Sequence, residues 1–553
     1  MRILRINDII ADIDDETALG ITLQSYDIKD VANTFVNVSN TFSIPRTSKN
    51  LSLFGNPQDA QSTNTKIYEL STVEYWIDNE QFLRNAKVKV TEINERINLF
   101  IYQKDTVWDE LKSLDWPTLG SELITWLQDT GSLPSVTNQY TGTYADLITG
   151  YTTATEGIVL PFYNGNLYNQ EFTLSGFTYA LETSNSILLD DNRGTTKYKG
   201  GHFCIYIKTI FEFFEYKYGV SFSTSGSSLT GNIFNDAIAS KMVIPIRDLV
   251  LQKDTGYYFR FAPTILQVPF VYSYFYPFTD VEDKPDKTAS DFVNAFINHF
   301  NLIKDEFYID DVYTVRFARF DDLETLADVV DFSSLISRVN TFKPTIEGYA
   351  QNTYIKFAEV YPGGSEYSNS KLLTVQNKNI DITTDLFEID GYVPNLTESF
   401  YLDLSLIESF STFVFIELSE TTESKNVIFL PNGTILGEST AADMFIAKLY
   451  NLDDEYNFLN EAISYPKYYE VEKWLRISDL KDFEFFKQYY IRELNGSFFI
   501  NKISGFNPEK SKQATTIELL KISNRTPNPS GDTFFWVDGV DDIFADGSGD
   551  YFY

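Results

Sequence analysis

The sequence predicts an α+β protein that is mostly β. Short stretches rich in β-branched and aromatic residues fill residues 1–118 and return towards the C-terminus, with turn signals about every ten residues. Apolar residues at helical spacing lie between these two regions. The chain has 553 residues, of which 43% are hydrophobic. This length suggests about three to five domains with sizeable cores.

The N-terminal region is predicted to form a small β-barrel or sandwich, because its short strands alternate with turns. Proline 45 lacks an amide hydrogen and is expected to end a strand. The polar residues Thr47–Asn50 are predicted to form a turn, after which Leu53 and Phe54 pack back onto the barrel. The predicted strands are Ile21–Ile28, Val31–Ser43, Lys66–Trp76, Gln81–Val90 and a return through Ile97, Leu99 and Ile101 after a hairpin turn at Asn94-Glu95-Arg96.

Two amphipathic helices are predicted in the middle of the chain, over Gly200–Tyr218 and Ala289–Ile303, with Ser290 as the N-cap of the second. Shorter helical patterns occur at Val107–Leu114 and Glu122–Leu127. The segments Thr137–Gly157 and Ser221–Thr230 are predicted to be connections.

The C-terminal region is predicted to be β again, with a hairpin turn at Asn495-Gly496. Its predicted strands are Gly348–Val360, Phe400–Leu418, Tyr468–Ile477, Tyr489–Leu494, Ser497–Phe506 and Ala514–Ile522. The tail, residues 526–553, mixes proline, glycine, aspartate and aromatic residues, and is predicted to be extended or disordered by itself.

Composition argues against disulfide frameworks and most metal sites, and the sequence lacks the common catalytic motifs. One cysteine (Cys204) and two histidines (His202 and His299) are too few for a disulfide framework, a zinc finger or an iron–sulfur cluster. His299 lies on an apolar helix stripe, where a core histidine is expected rather than a catalytic base. His202 and Cys204 are two residues apart and would not share a helix face. Phosphate-binding loops, dinucleotide fingerprints, zinc-protease motifs and nucleophile elbows do not occur in the sequence. We therefore predict no catalytic residues, no cofactor and no enzymatic activity.

Acidic residues dominate the charge, with 78 Asp and Glu against 44 Lys and Arg and a net charge of −34. This balance argues against a phosphate-gripping nucleic-acid binder. Two carboxylates suffice for glycoside hydrolysis, but pairs occur in any window of so acidic a chain. The acidic clusters Asp280–Asp291 and Asp538–Asp550 lack the spacing of a calcium loop. We predict solvated turns there and no metal site.

The aromatic residues of the tail are candidate partner-docking anchors, because such side chains are frequent hot spots of interfaces. They are Phe534, Phe535, Trp536, Phe544, Tyr551 and Phe552. Packing back onto their own domain is the alternative. Neither a signal peptide nor a membrane anchor is predicted, because four aspartates interrupt residues 1–15 and the aromatic stretch Val268–Phe278 is too short to span a bilayer.

A family resemblance rests on the segment Ile28–Gly55, which is similar to the opening of tail-hub, or tail-tip, proteins of tailed bacteriophages. One branch of that family has a "TFxIPxTxxNxxLFG" segment, and here Thr41–Thr47 is followed by Asn50, Leu53, Phe54 and Gly55. Further similar segments keep the family order: Trp108–Trp116, Gly157–Pro161, His202–Ile246, Asp291–Leu302, Gly348–Phe357 and Trp474–Leu520. The resemblance covers about residues 28 to 522.

The resemblance implies two similar β-barrel modules with helix-containing domains inserted between them. Three copies would form a ring with pseudo-sixfold symmetry that joins a sixfold tail tube to a threefold tip. The domains expected are a β-barrel hub module (1–118), a loop-rich insertion (119–200), a helix-containing domain (201–315), a second β module with a C-terminal β domain (316–525), and the acidic, aromatic tail (526–553). The second barrel is expected around Phe317–Phe357.

The function implied is that of a virion structural protein, a baseplate hub located in the phage tail and made in the host bacterial cytoplasm. Expected partners are further copies in a homotrimer, a tail-tube or distal tail protein, and tip or fibre proteins. DNA would pass through the ring during ejection without specific binding, and an acidic lumen would keep it mobile. Alternatives are another tail ring, a fibre-anchoring adaptor, or a carbohydrate-binding or carbohydrate-cleaving receptor protein.

Overall fold

A computed structural model describes most of the chain. The described residues are 2–14, 17, 20–29, 41–59, 61, 63–77, 80–102, 106–130, 154–159, 162–163, 187–190, 198–201, 204–224, 229–236, 239–245, 251–253, 272–275, 286–309, 312–333, 336–360, 364–393, 413–420, 425–428, 438–441, 445–449, 451–476, 479–480, 483–507, 513–525, 544–545 and 551–552. Over these residues the fold is α+β and mostly β, as predicted.

The N-terminal module consists of the first β-sheet and one short helix. Its elements, with one strand that leaves it, are β1 (Arg2–Ile6), β2 (Ile9–Ile10), β3 (Ile21–Leu23), β4 (Thr41–Pro45), α1 (Ser48–Leu53), β5 (Ser71–Ile77), β6 (Glu80–Ile93) and β7 (Arg96–Tyr102). The sheet has six antiparallel strands in the order β2-β1-β5-β6-β7-β4. Alternate residues point inward, such as Val73, Tyr75 and Ile77 on β5, and Leu53 and Phe54 of the α1 region cover this core.

Most of the described helices lie between the two β modules in the sequence. Besides α1 they are α2 (Thr106–Ser113), α3 (Trp116–Asp129), α4 (Ile207–Tyr218), α5 (Ala289–His299) and α6 (Asn457–Ser464). Short 3-10 helices occur at Lys66–Tyr68, Ile233–Asn235, Ala239–Lys241, Asp321–Leu323, Leu452–Asp454 and Arg492–Leu494. Helices α2 to α5 share an aromatic core in which Trp116 contacts Phe292 and Phe211 contacts Phe296, with ring centroids 5.1 Å apart in both pairs. Trp108 and Trp116, both in the family-like segment, are fully buried there.

The remaining strands are β8 (Ile158–Val159), β9 (Phe162–Tyr163), β10 (Ile187–Asp190), β11 (Tyr198–Gly201), β12 (Cys204–Tyr206), β13 (Met242–Pro245), β14 (Leu251–Lys253), β15 (Tyr272–Phe275), β16 (Leu302–Ile309), β17 (Val312–Arg319), β18 (Val329–Asp331), β19 (Ile336–Lys343), β20 (Asn352–Val360), β21 (Lys371–Thr374), β22 (Thr383–Val393), β23 (Ile416–Glu420), β24 (Lys425–Ile428), β25 (Glu438–Ala441), β26 (Phe445–Leu449), β27 (Tyr468–Lys473), β28 (Gln488–Ile491), β29 (Gly496–Phe506), β30 (Thr515–Ser523), β31 (Phe544–Ala545) and β32 (Tyr551–Phe552). A ten-stranded sheet has the order β25-β24-β10-β11-β9-β26-β23-β13-β12-β8. Smaller sheets are β14-β15, β16-β17, β21-β20-β22 and β31-β32.

The C-terminal module is a seven-stranded sheet in the order β18-β28-β29-β30-β27-β19, with β3 paired to β29. Four of its strands repeat a topology found in the N-terminal module. In each sheet three consecutive antiparallel strands form a meander, and the strand that precedes them in the chain pairs with the third. The two sets are β5-β6-β7-β4 and β28-β29-β30-β27. The described residues thus contain two β modules related by topology.

The middle helices differ from the predicted ones at their ends. Helix α4 begins at Ile207 rather than Gly200, because Cys204–Tyr206 is a strand paired with β13. Helix α5 ends at His299, and its N-cap is Thr288 rather than Ser290. Thr288 and Asp291 form a capping box, in which each side chain accepts a hydrogen bond from the other residue's amide.

Several β predictions also need correction. The region Ile21–Ile28 does not belong to the N-terminal sheet, because Leu23 and Ile21 pair with Ile503 and Phe506 of β29. Residues 48–53, predicted to begin as a polar turn, form helix α1 with Thr47 as its N-cap. Strand β5 starts at Ser71, after a 3-10 helix at Lys66–Tyr68.

The C-terminal hairpin has a longer turn than predicted. Gly496 is the first residue of β29 and pairs with Ile491. The 3-10 helix Arg492–Leu494 and Asn495, at φ 47°, form the connection. The predicted hairpin is therefore present, but its turn is Arg492–Asn495 rather than Asn495-Gly496.

Three predicted segments of the body of the chain fall mainly outside the described residues. Only 41–43 of the strand Val31–Ser43, 154–157 of the connection Thr137–Gly157 and 413–418 of the strand Phe400–Leu418 are described. The connection Ser221–Thr230 is described at both ends, and its start is held, because the Ser221 amide donates to the Tyr313 carbonyl at 2.9 Å. The domain boundaries given above stay predictions.

Candidate assembly surfaces

A group of hydrogen bonds, which we call the polar junction, connects the residues after β2 with helix α1, which follows β4 in the chain. The side chain of Asn50 is fully buried and donates to the backbone carbonyls of Asp12 and Pro45 at 2.9 and 2.8 Å. Its oxygen accepts from the Asp12 amide at 2.9 Å. Thr47 donates to the Asp12 carboxylate at 2.6 Å, and this hydrogen bond lowers the pKa of Asp12. Asn50 thereby joins the segment after β2 to the segment after β4.

A second contact reinforces this junction. Arg96 donates two hydrogen bonds to the carboxylate of Asp14, at 2.7 and 2.8 Å. These bonds hold the pKa of Asp14 well below its usual range. Arg96 also donates to the Ser43 hydroxyl at 2.7 Å. The segment Thr41–Gly55 therefore has a structural role in fixing the shape of this module.

Residues 21–29 leave the N-terminal module and pack on the C-terminal module. The amide of Ile28 donates to the side chain of Asn501 at 2.8 Å, and the ammonium of Lys29 lies 2.7 Å from the carboxylate of Glu518. Tyr26 and Ile28 are buried in the core that contains Phe320 and Phe499. We call residues 21–29 the strap, because the residues before it contact the N-terminal module and its own residues bond to the C-terminal module, while Leu23 packs against the cores of both.

The histidine and cysteine side chains do not form a catalytic pair in the described residues. His299 is buried on α5, with its ring centroid 4.7 Å from that of Phe415. Burial lowers the pKa of His299 to about 3, and the nearby Arg319 acts in the same direction. A core role is thus the simplest account of this residue. Cys204 is buried on β12, and His202 lies outside the described residues.

In the described residues, the acidic clusters do not form a metal-binding site. Asp291 belongs to the capping box of α5, and 280–285 lie outside the description. Within the described ranges, His, Cys, Asp and Glu side chains do not gather in groups of three or more that could hold a metal ion. Among the described helices, none has the length and apolar character needed to cross a membrane.

An open cavity of about 690 Å³ lies where the strap meets the C-terminal module, beside Tyr349 and Tyr468. Its charged lining consists of Lys29, Lys343, Lys378, Glu347 and Asp381. Lys29 forms an ion pair with Glu518. The rest of the charged lining consists of two lysines and two acidic residues, so its positive and negative charges are equal in number. The cavity therefore offers no excess of either charge to a ligand.

The predicted docking residues are only partly described. Phe534, Phe535 and Trp536 lie outside the described residues. Phe544 and Phe552 face each other in the short antiparallel pair β31 and β32, which also contains Tyr551. The four described residues of the tail are thus extended and paired with each other, and the docking role stays a prediction.

Exposed apolar residues mark two sheet edges that the sequence did not single out. On the outermost strand of the N-terminal sheet, Ile9 and Ile10 are 51% and 48% exposed. On β19, one of the two outermost strands of the C-terminal sheet, Val339 and Phe342 are 44% and 50% exposed. Exposed apolar edge strands are sites at which another chain can pair. The sequence signal for the first edge was the turn-forming pair Asn7-Asp8, which stands between Ile6 and Ile9.

Comparisons with known proteins give distant likenesses. No protein-family model and no curated protein matches the chain. Among solved structures, it is similar to the 43 kDa tail protein of prophage MuSo2 from Shewanella oneidensis, with 7% identity and a TM-score of 0.34 over 94% of this chain and 98% of that one. It is also similar to the prophage tail protein gp18 from Listeria monocytogenes EGD-e, with 8% identity and a TM-score of 0.34 over 94% of both chains. At such values neither likeness by itself assigns a function.

Proposed function

We propose that this chain is a structural component of a bacteriophage tail, and specifically a hub that forms a homotrimeric ring between the tail tube and the tip. The observation that carries the proposal is the topology shared by β5-β6-β7-β4 and β28-β29-β30-β27. Three copies of a chain with two such modules present six similar modules. That number suits a ring that joins a sixfold tube to a threefold tip.

The contacts of the strap support a structural role for the protein. The strap bonds to the C-terminal module through Ile28 and Lys29, while Asp12 and Asp14 bond to the N-terminal module. One continuous stretch of chain thus contacts both modules. A ring under mechanical load during ejection requires modules that keep their relative positions.

The charge balance supports passage of DNA rather than its capture. A net charge of −34 permits an acidic lining that repels phosphate. In this proposal the ring binds the tail tube or a distal tail protein on one side and tip or fibre proteins on the other. It acts in the virion without catalytic chemistry, consistent with the buried positions of His299 and Cys204.

The native mass of the purified protein tests the oligomeric part of the proposal. Sedimentation equilibrium over a wide range of concentrations should give three times the mass of one chain. A monomer at every concentration, with no larger species on addition of tail tubes, would contradict the hub assignment.

A further inference from the structure

We propose that the cavity beside Tyr349 and Tyr468 is a binding site for a neutral, hydroxyl-rich ligand, namely a short stretch of glycan. The inference goes beyond the proposed function and does not depend on the trimeric ring, because residues of one chain line the cavity. The volume of about 690 Å³ falls in the range of about 300–1,000 Å³ that small-molecule sites occupy.

Two loops form the walls of the cavity. Residues 344–350 follow β19, and residues 375–382 connect β21 with β22. Gln351 joins the two loops, because its amide donates to the Asp381 carbonyl at 2.9 Å and its side chain donates to the Ile380 carbonyl at 3.3 Å. The walls are therefore held in place before a ligand arrives, which lowers the entropic cost of binding.

The buried side of the cavity, which we call its floor, is a hydrogen-bonded network at the end of the strap. Lys29 forms its ion pair with Glu518, and its ammonium group lies 5.0 Å from the centre of the Tyr468 ring. The Tyr468 hydroxyl donates to the Glu518 carboxylate and accepts from the side chain of Asn501 at 3.2 Å. The polar groups of the floor are thus already paired with each other.

The polar side chains of the walls differ from those of the floor. Within the described part of the chain, none of six such side chains forms a hydrogen bond or an ion pair. A concave surface with several unbonded donors and acceptors can bind a polar ligand without breaking bonds of its own. The six are two ammonium groups, two carboxylates, a hydroxyl and an amide: Lys343, Lys378, Glu347, Asp381, Thr345 and Asn379.

The balance of these groups indicates the chemistry of the ligand. Each wall carries one lysine and one acidic residue, so an anion such as phosphate would be repelled by Glu347 and Asp381, and a metal cation by the two lysines. A sugar hydroxyl donates one hydrogen bond and can accept two, so it suits both the carboxylates and the ammonium groups. Ile346 and Ile380 supply apolar contacts for the C–H faces of a sugar ring.

Saturation-transfer difference NMR with the purified full-length protein tests the inference. The probes are neutral trisaccharides of glucose, mannose, rhamnose and N-acetylglucosamine, an acidic trisaccharide of galacturonic acid, and a tetrapeptide with one lysine and one glutamate. At least one neutral trisaccharide should bind, with an affinity that changes little from low to high salt, because the ligand carries no charge to be screened. The inference is overturned if no neutral trisaccharide binds, or if the acidic trisaccharide or the peptide binds more tightly.

Substitutions in the walls test where the ligand binds. Asp381→Ala and Lys378→Ala each remove one unbonded charged group, and each should weaken binding of the neutral trisaccharide about tenfold. Glu461→Ala, at an exposed carboxylate of α6 outside the cavity, is the matched control and should leave the affinity unchanged. Circular dichroism checks that all three variants fold.

Equal affinities of the wild type and both wall variants would overturn the assignment of the ligand to this cavity. None of these measurements depends on the native mass of the protein. Failure of the glycan site and failure of the trimeric ring are therefore distinguishable.

Discussion

The hydroxyl group of Tyr349 donates a hydrogen bond to the backbone carbonyl of Ile28, 2.9 Å away, between residues 321 positions apart in the chain. The amide of the same Ile28 donates to Asn501 at 2.8 Å. Both backbone groups of one strap residue are thus satisfied by side chains of the C-terminal half. Burial of Tyr349 raises its pKa well above the ordinary value, so the hydroxyl keeps its proton at any physiological pH.

Removal of this hydroxyl should loosen the strap. Tyr349→Phe keeps the ring and leaves the buried Ile28 carbonyl without its donor, so the free energy of unfolding should fall by about 1–2 kcal/mol. Hydrogen exchange at the strap amides should accelerate with it. The matched control Tyr216→Phe, at a largely exposed tyrosine, should change stability by less than about 0.5 kcal/mol. Equal effects of the two changes would refute a specific role for the Tyr349 hydroxyl.

The polar junction should depend strongly on Asn50. Asn50→Ala leaves the amide and the carbonyl of Asp12 without the partners that Asn50 gives them, and removes one of the two donors to the Pro45 carbonyl, which keeps the Thr47 amide. A loss of about 3 kcal/mol is expected. Urea denaturation measures it. Lys49→Ala removes an exposed ion pair with Asp12 beside the same junction and should cost below about 1 kcal/mol. If Asn50→Ala is as mild as Lys49→Ala, the junction does not hold the module closed.

Acid should destabilise the protein through His299. Its pKa is about 3 in the fold and 6.5 in the unfolded chain, so the unfolded state binds the proton first as pH falls. The stability present above pH 6.5 is then lost towards pH 3, by about 2 kcal/mol between pH 6.5 and 5.

The variant His299→Leu isolates that contribution. Leucine does not titrate and has a similar volume, so the difference in unfolding free energy between variant and wild type should shift in favour of the variant as pH falls from 7 to 5. Chemical denaturation at a series of pH values provides the measurement. A difference that is independent of pH would show that His299 does not titrate as described.

The tail should recruit neighbours without building the ring. Deletion of residues 538–553 removes Phe544, Tyr551 and Phe552 and should leave the native mass per ring that of three shortened chains. Tip or fibre proteins should be depleted from tails assembled with the shortened chain, as measured by quantitative mass spectrometry. Full recruitment by the shortened chain would remove these residues from the docking surface.

Local patterns predicted the elements whose partners lie nearby. The strands β29 and β30 follow from alternation and β-branched residues, and helix α5 from its apolar stripe. The true cap of α5 was also readable, because Thr288 stands three residues before Asp291. Ser290 was the wrong choice because the serine lies inside the first turn.

Long-range pairing was beyond such patterns. Leu23 pairs with Ile503, and no local signal distinguishes that partner from the neighbouring strands of the N-terminal sheet. The exposed edges were missed for a related reason. Isoleucine and phenylalanine are usually buried, so the sequence alone places Ile9 and Phe342 in a core. Their exposure follows only from their position on the outermost strands of their sheets.

Electron-microscope class averages of the purified full-length protein test the central claim most directly. The account predicts a ring with threefold symmetry, an open axis and six similar lobes around it. Compact single particles without an axial opening, at concentrations well above those of the assembled tail, would contradict it.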